Sequence, residues 1–317
     1  MQLNFQIIET AAQWDMAAVL NTAFNPDDPH TGAELEAFAK EHPTDVFIRR
    51  SLAMDGDSPF AYIRIAQAYW LQDTSIAASG IAVDRTGDHV PGWVQCLEYV
   101  ETMAAENGLT SVQIWFRADH PELIEQAVSR GYLPGQHNPT SAVDLTQFSV
   151  EPYQKILDAV RAEGYEIIDL NELIRRYPED WIERYYTWEN VVMRDIPMPG
   201  DFAEFPFETY KKMILSETLT REGYFMAIKD GVVAASSQIN WNHVDRTLAQ
   251  TGLTGTLRDA RRMGLATALK AHAMNWAKSV GITRLTTDNE INNPMYQLNL
   301  ALGFKWDYDV TEYSKKL

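Results

Sequence analysis

The feature that most constrains this chain is an internal repeat. One helical segment stops at Gly108 and another at Gly281, 173 residues later. Each is followed by a strand and then by a short helix that stops at a glycine plus an aromatic residue. These stops, Gly131-Tyr132 and Gly303-Phe304, lie 172 residues apart, and one slipped residue reconciles the two offsets. Glycine just past a helix takes the left-handed conformation that ends it, so matched glycines mark matched helix ends. Two glycines alone match by chance; the shared order of the elements around them points to a duplicated α/β unit. The 317 residues suit two domains of about 150 each.

Periodicity fills in the elements. Residues 3–8 read as a strand, 11–24 as a helix and 32–41 as a short helix. Residues 45–54, 59–71 and 74–84 are strand-like, with β-branched and aromatic weight. An amphipathic helix carries Trp93, Cys96, Leu97, Val100 and Ala104 on one face; a strand at 110–116, a helix at 121–130 and a strand at 140–146 follow. The polar segment 147–163, helical in pattern over 151–162, holds the expected boundary, giving domains 1–147 and 148–317. The order then begins again. A strand at 165–170 leads to a helix at 172–188, capped by Asp169 or Asn171 and interrupted at Tyr177-Pro178. A Pro- and Phe-rich loop at 194–209 reads either as a wall over a site or as a packed connection. A short helix at 209–216 precedes a hairpin, 224–229 with 232–241, that turns on Asp230-Gly231. Strand 247–257, helix 263–279, strand 282–288, helix 294–302 and strand 304–314 complete the pattern.

The stretch from Thr254 to Lys270 concentrates the chemistry. It reads as a strand end, a basic turn and the first turns of a helix. A helix N-terminus has free N–H donors and the positive end of the macrodipole, which suits a phosphate. Gly264 and Ala266 leave room for a ligand against the backbone, and Arg261 and Arg262 add positive charge. Two readings stand at this point: a loop that holds a phosphorylated ligand, or an ordinary strand-to-helix connection that is basic.

Net charge bears on that choice. The chain carries 27 Lys and Arg against 44 Asp and Glu, a net of −17, a field that repels nucleic acid and anionic membranes. It attracts amines, or serves solubility alone. The arginine pair is a local exception to it. Cys96 is the single cysteine, so no internal disulfide forms, and its apolar stripe marks it as packing. The seven histidines, scattered along the chain, form no ligand-spaced set, so no metal is expected. No run reaches the ~18 apolar residues of a membrane helix, and Met1-Gln2-Leu3-Asn4-Phe5 does not open a signal peptide. A cytoplasmic protein with no membrane or nucleic-acid partner is the expectation.

The run Arg261-Arg262-Met263-Gly264-Leu265-Ala266 resembles the central motif of the GCN5-related N-acetyltransferase (GNAT) superfamily: Gln or Arg, two residues, Gly, one residue, Gly or Ala. Downstream, Thr287 to Phe304, with Asn289, Asn292 and Asn293 at a strand-to-helix turn and the closing Gly303-Phe304, is similar to the same family. The likeness is specific over about 247–305 and looser elsewhere, and its form is the tandem one. It implies an α/β (α+β) fold of two GNAT-like domains, each a mixed, mostly antiparallel sheet flanked by helices. It also implies acetyl-CoA as cosubstrate. The pyrophosphate would lie on N–H groups from Arg262, Met263, Gly264, Leu265, Ala266 and Thr267, beside Arg261. The pantetheine arm would pair with the strand edge at Gly255, Thr256 and Leu257. Asn289 and Asn293 fall where polar contacts to the cofactor arm occur, although asparagine also serves turns and caps.

The chain departs from the family at two places. Asn299 stands where many members have the tyrosine that protonates the departing thiolate; asparagine is not an acid, but it can still donate a hydrogen bond to the sulfur or the pantetheine. In the first copy, Asp88 and Pro91 fall at the places of Arg261 and Gly264, and Ala127 falls at that of Asn299. A carboxylate and a missing N–H oppose a pyrophosphate, so the first domain is expected to be degenerate. The implied enzyme is an N-acetyltransferase acting on a primary amine, expected to be small and cationic by the acidity of the chain; the alternative is an inactive relative that binds CoA or a small ligand. Glu189, Asp195, Glu204, Glu208 and His243 are the candidate bases, with none preferred.

Overall fold

Both copies of the repeat end their helices in the same way. Leu109 N–H bonds to Ala104 O and Ile282 N–H to Ala277 O, while Tyr132 N–H bonds to Ala127 O and Phe304 N–H to Asn299 O. In each case the intervening glycine, Gly108, Gly281, Gly131 or Gly303, has φ between 75° and 97°. This is the helix-stop geometry that the spacing predicted. The computed structural model describes residues 2–84, 87–216 and 218–317.

The elements of the first half are β1 (Asn4–Ile7), α1 (Ala11–Phe24), α2 (Gly32–Lys40), β2 (Ile48–Asp55), β3 (Ser58–Gln67), β4 (Ile76–Val83), α3 (Val90–Glu106), β5 (Ser111–Arg117), α4 (Pro121–Ser129) and β6 (Leu133–Asp144). Those of the second are α5 (Gln154–Ala162), β7 (Glu166–Asp169), α6 (Leu170–Arg176), α7 (Trp181–Met193), α8 (Phe207–Ile214), β8 (Tyr224–Lys229), β9 (Val232–Trp241), β10 (Leu248–Thr256), α9 (Leu265–Ser279), β11 (Arg284–Asp288), α10 (Pro294–Ala301) and β12 (Lys305–Lys316).

Two compact units result. The first takes the chain up to Asn138, with Met198–Phe205 and Tyr308–Leu317; the second takes Pro139–Pro197 and Pro206–Asp307. Neither is one stretch of sequence, so the units do not follow a single cut after residue 147. The first sheet runs β1-β2-β3-β4-β5-β12, antiparallel apart from the parallel pair β4/β5. The second runs β6-β11-β10-β9-β8-β7, antiparallel apart from β10/β11. Each is thus the mixed, mostly antiparallel sheet expected. Each is also completed by a strand distant in sequence: Val310–Lys316 pairs with β5 in the first unit, and Thr140–Asp144 pairs with β11 in the second.

Several local expectations shift. The strand expected at 140–146 begins at Leu133, because pairing outweighs the reluctance of Pro134, Gly135 and Pro139. The helix expected at 172–188 is two helices, α6 and α7, separated at Tyr177-Pro178. Asp169 rather than Asn171 caps α6, accepting from Glu172 N–H at 2.8 Å. Residues 198–205 are a packed connection of the first unit: Phe202 bridges Leu71, and Ala203 N–H bonds to Trp70 O at 2.9 Å. Cys96 is fully buried in the core of the first unit, which leaves it a packing residue.

Candidate active site

The site begins where two strands part. β10 and β11 pair in parallel only from Leu248↔Arg284 to Gln250↔Thr286. β10 continues to Thr256 against β9, but its register slips between Thr251 and Thr254. That bulge sets Gly252 and Leu253 opposite Gln238 alone. Gln238 pins it: its Oε1 accepts from Leu253 N–H at 2.8 Å, and its Nε2 donates to the Tyr185 hydroxyl at 3.1 Å. A bulge re-aims the strand after it, and Thr251 to Thr256 then line a cavity of about 690 Å³.

One end of the cavity is the expected phosphate loop. Arg262 has φ 64° and Gly264 φ 80°, both left-handed, on either side of Met263. This conformation turns successive N–H groups toward one side, forming an anion-binding concavity. Gly264 is required twice over: its φ is positive, and a Cβ there would lie 2.5 Å from Ile156 Cδ1. α9 starts immediately after it. Ala268 N–H, bonded to Gly264 O at 2.9 Å, is the first amide served by the helix, so those of Leu265, Ala266 and Thr267 have no carbonyl one turn back.

Asp195 organises the arginines here. It pairs with Arg258 at 2.5 Å and with Arg261, and Arg261 Nε also donates to Thr256 O at 3.2 Å. Hydrogen bonds from Arg258, then Arg261, push its carboxyl down to about 2, so Asp195 is an anchor rather than a base. It also spends the charge of Arg261; among the described residues Arg262, exposed, is the cation left at the loop.

Of the thirteen residues expected to hold the cofactor, eleven line this cavity: Gly255, Thr256, Arg261, Arg262, Gly264, Leu265, Ala266, Thr267, Asn289, Asn293 and Asn299. Leu257 and Met263 fall outside its lining. The Leu257 N–H is taken by Ala234 O at 2.8 Å, and the Met263 side chain is turned to solvent with Tyr165 OH on its sulfur at 3.5 Å. Asn293 caps α10 through Met295 N–H, so its capping role holds while it lines the cavity. Asn299 is buried, its Nδ2 donates to Asn289 Oδ1 at 2.6 Å, and its own Oδ1 has no partner among the described residues. The asparagine therefore offers the cavity an acceptor, the reverse of the donor expected from its type.

Lys270 was not anticipated as a site residue. It lines the cavity, is 3% exposed, and its Nζ lies 5.8 Å from the centre of the Phe304 ring. Burial lowers its amine to about 7. The repeat carried the signal: its counterpart in the first copy, 173 residues earlier, is the fully buried Leu97.

Among the candidate bases, Glu189 separates from the rest. It sits on α7, three residues before Val192, which packs against Gly255 and lines the cavity. Tyr210 OH donates to its Oε2 at 3.0 Å. Burial among tyrosines raises its carboxyl to about 7, with the Tyr210 bond opposing. Glu204 and Glu208 are exposed, and the His243 ring is engaged with Thr218 O at 3.0 Å. Among the described residues no group of three or more His, Cys, Asp or Glu is arranged to hold a metal, and no helix is long and apolar enough to cross a membrane.

Comparisons with known proteins agree with this geometry. Residues 180–304 match the model of the acetyltransferase (GNAT) family. A search of curated proteins finds no significant match. Among solved structures, a tandem GNAT protein from the clavulanic acid biosynthesis pathway is similar at 15% identity, with 99% of this chain and 98% of that one covered and a TM-score of 0.74. A GCN5-related N-acetyltransferase from Sphaerobacter thermophilus is similar at 15% identity, with 99% and 95% covered and a TM-score of 0.70. A GNAT-family acetyltransferase from Colwellia psychrerythraea is similar at 11%, with 99% and 100% covered and a TM-score of 0.60. Residues 180–304 thus carry an acetyltransferase (GNAT) domain, and the chain shares its two-unit fold along its length with a tandem GNAT protein.

Proposed function

We propose that the second unit is an acetyl-CoA-dependent N-acetyltransferase. The observation that carries the reading is the cavity itself: a left-handed loop and helix N-terminus at one end, an open strand edge along it, and a buried acceptor in its wall. These features fit acetyl-CoA. The amides from Arg262 to Thr267 would hold the pyrophosphate, with Arg262 as countercharge. The β10 edge at Gly255 and Thr256 would pair with the pantetheine amides. The unpartnered Asn299 Oδ1 would accept from an N–H or S–H of the same arm, since a buried acceptor without a donor is costly. Bound there, acetyl-CoA supplies the activated acyl group.

The chain's own residues supply the proton chemistry. Glu189, its carboxyl raised to about 7, accepts a proton from the ammonium of the acceptor near neutral pH. Lys270, with an amine near 7, holds a proton for the leaving thiolate, the task for which the family's tyrosine is missing. The net charge of −17 favours a small cationic amine as acceptor and disfavours nucleic acid. The first unit lacks this equipment: Pro91 stands in place of Gly264, and the fully buried Trp93 in place of Ala266.

Calorimetry with acetyl-CoA, followed by a thiol-release assay across a panel of polyamines, amino sugars and amino acids, tests this. Failure to bind acetyl-CoA or CoA at millimolar concentration removes the proposal. Binding without acetylation of any amine moves it to the second reading, a CoA-binding relative without catalysis, which Asn299 in the tyrosine's place favours.

A further inference from the structure

The first unit holds a cavity of its own, of about 700 Å³, where β4 and β5 part beyond Ser79↔Ile114. Two arginines stand side by side on its wall. Arg50 on β2 is the direct cross-strand partner of Arg64 on β3, and Arg64 is in turn the partner of Gly80 on β4. Like charges directly opposite each other destabilise a sheet. Among the described residues no ion pair offsets them, and the only carboxylate in the cavity lining, Asp28, pairs with His30 at 3.2 Å. Arg50 spends its hydrogen bonds on the carbonyls of Arg49 and Ile65, on the Tyr62 side chain and on His42 Nε2 at 3.0 Å. His42 adds no negative charge; burial, with Arg50 beside it, lowers its ring to about 4. The third arginine in the lining, Arg117, is already neutralised by Asp119 and Asp27.

Gly80 gives the arrangement its shape. An ideal Cβ there would lie 2.8 Å from Arg64 Nη2, so the guanidinium lies across the bare backbone at the parting of the strands. Around it the walls are apolar, with Phe24, Phe38 and Trp115 among them. In a chain of net charge −17, two adjacent uncompensated guanidinium groups at an aromatic-walled cavity form a receptor for an anion.

We propose that the first unit binds a small organic anion, a carboxylate or phosphate ester on an apolar body, with its negative charge between Arg50 and Arg64. The planar fork of Arg64 matches either group, and Arg50 adds its charge beside it. The ligand differs from CoA, whose loop this unit lacks, and the site does not depend on the reaction proposed for the second unit.

The experiment is titration of the full chain with benzoate, phenyl phosphate, benzamide and benzylamine, followed by calorimetry and Trp fluorescence. Benzoate or phenyl phosphate is expected to bind, and the tighter of the two identifies the group. Benzamide and benzylamine are not expected to bind. Arg64→Ala is exposed enough to fold and is expected to weaken the anion at least about tenfold. Without ligand it should melt no lower than the wild type, because it removes a repulsion. Gly80→Ala keeps both charges but displaces the Arg64 guanidinium, and is expected to weaken the anion as well. Gly264→Pro, which disables the CoA loop of the second unit, is expected to leave benzoate binding unchanged. Equal binding of benzamide, absence of anion binding at millimolar concentration, or an unaltered Kd in Arg64→Ala overturns the proposal; so does a lowered melting temperature of ligand-free Arg64→Ala, which would make the arginine structural.

Discussion

Replacing Glu189 by glutamine should make the protein more stable and less active at once. The carboxyl moves from an ordinary 4.5 to about 7 because folding removes it from water among Tyr185, Tyr210 and Tyr224. Between pH 4.5 and 7 the unfolded chain has lost this proton and the folded chain keeps it. Stability therefore falls as pH rises through that window and levels off above it. About 2.5 pH units at 1.36 kcal/mol each gives a cost of about 3 kcal/mol above neutrality. Glutamine retains the acceptor for Tyr210 OH but has nothing to ionise. Urea unfolding of both proteins at pH 5 and pH 8 measures the difference, and shared contributions from other groups cancel. The gap in favour of Glu189→Gln should widen by about 2.5 kcal/mol from the lower pH to the higher, since pH 5 already lies inside the window. In the same variant, acetylation should fall by about a hundredfold or more, the usual loss on removing a general base. The acid limb of the wild-type pH–rate profile should vanish with it. Parallel stability profiles would refute the burial argument; full activity would refute the role as base.

Three further outcomes test the rest of the site. Gly264→Pro should abolish acetyl-CoA binding by calorimetry, because it removes an N–H and the left-handed φ together, whereas replacing Pro91 should leave binding intact. Lys270→Met should stabilise the fold at neutral pH: the wild-type amine is lowered from 10.5 to about 7, so wild-type stability rises between those values by about 1.4 kcal/mol per pH unit. The advantage of the variant should accordingly shrink from pH 7 to pH 9 in urea unfolding, while its kcat drops. Asp195→Asn frees the charges of Arg258 and Arg261, and CoA binding should tighten with a steeper dependence on salt.

The duplication was legible because glycine in the left-handed region is nearly unavoidable where a helix ends in this way, so Gly108, Gly131, Gly281 and Gly303 mark backbone geometry directly. The loop from Arg261 to Thr267 was legible for the same reason. Gln238 was not, because an interior glutamine gives no local sign that it will pin a bulge from the neighbouring strand. The pairing of Asp195 with Arg258 and Arg261 spans more than sixty residues, beyond what spacing can show. Glu189 was one acidic candidate among several until burial distinguished it. The exchanged strands were hidden too: periodicity says that β6 and β12 are strands, but pairing partners are chosen by tertiary contact.

That exchange bears on how the chain is made. The sheet of the first unit cannot close until Tyr308–Leu317 is available to β5, so an N-terminal half emerging from the ribosome waits, with that strand edge open, for nearly the whole remaining sequence. Unpaired edges invite wrong partners. The second unit does not wait, since its borrowed strand, Thr140–Asp144, precedes it. Synthesis order thus predicts that the second unit is assembled first and that the first unit finishes last. Clipping the final ten residues would wound the unit at the opposite end of the sequence.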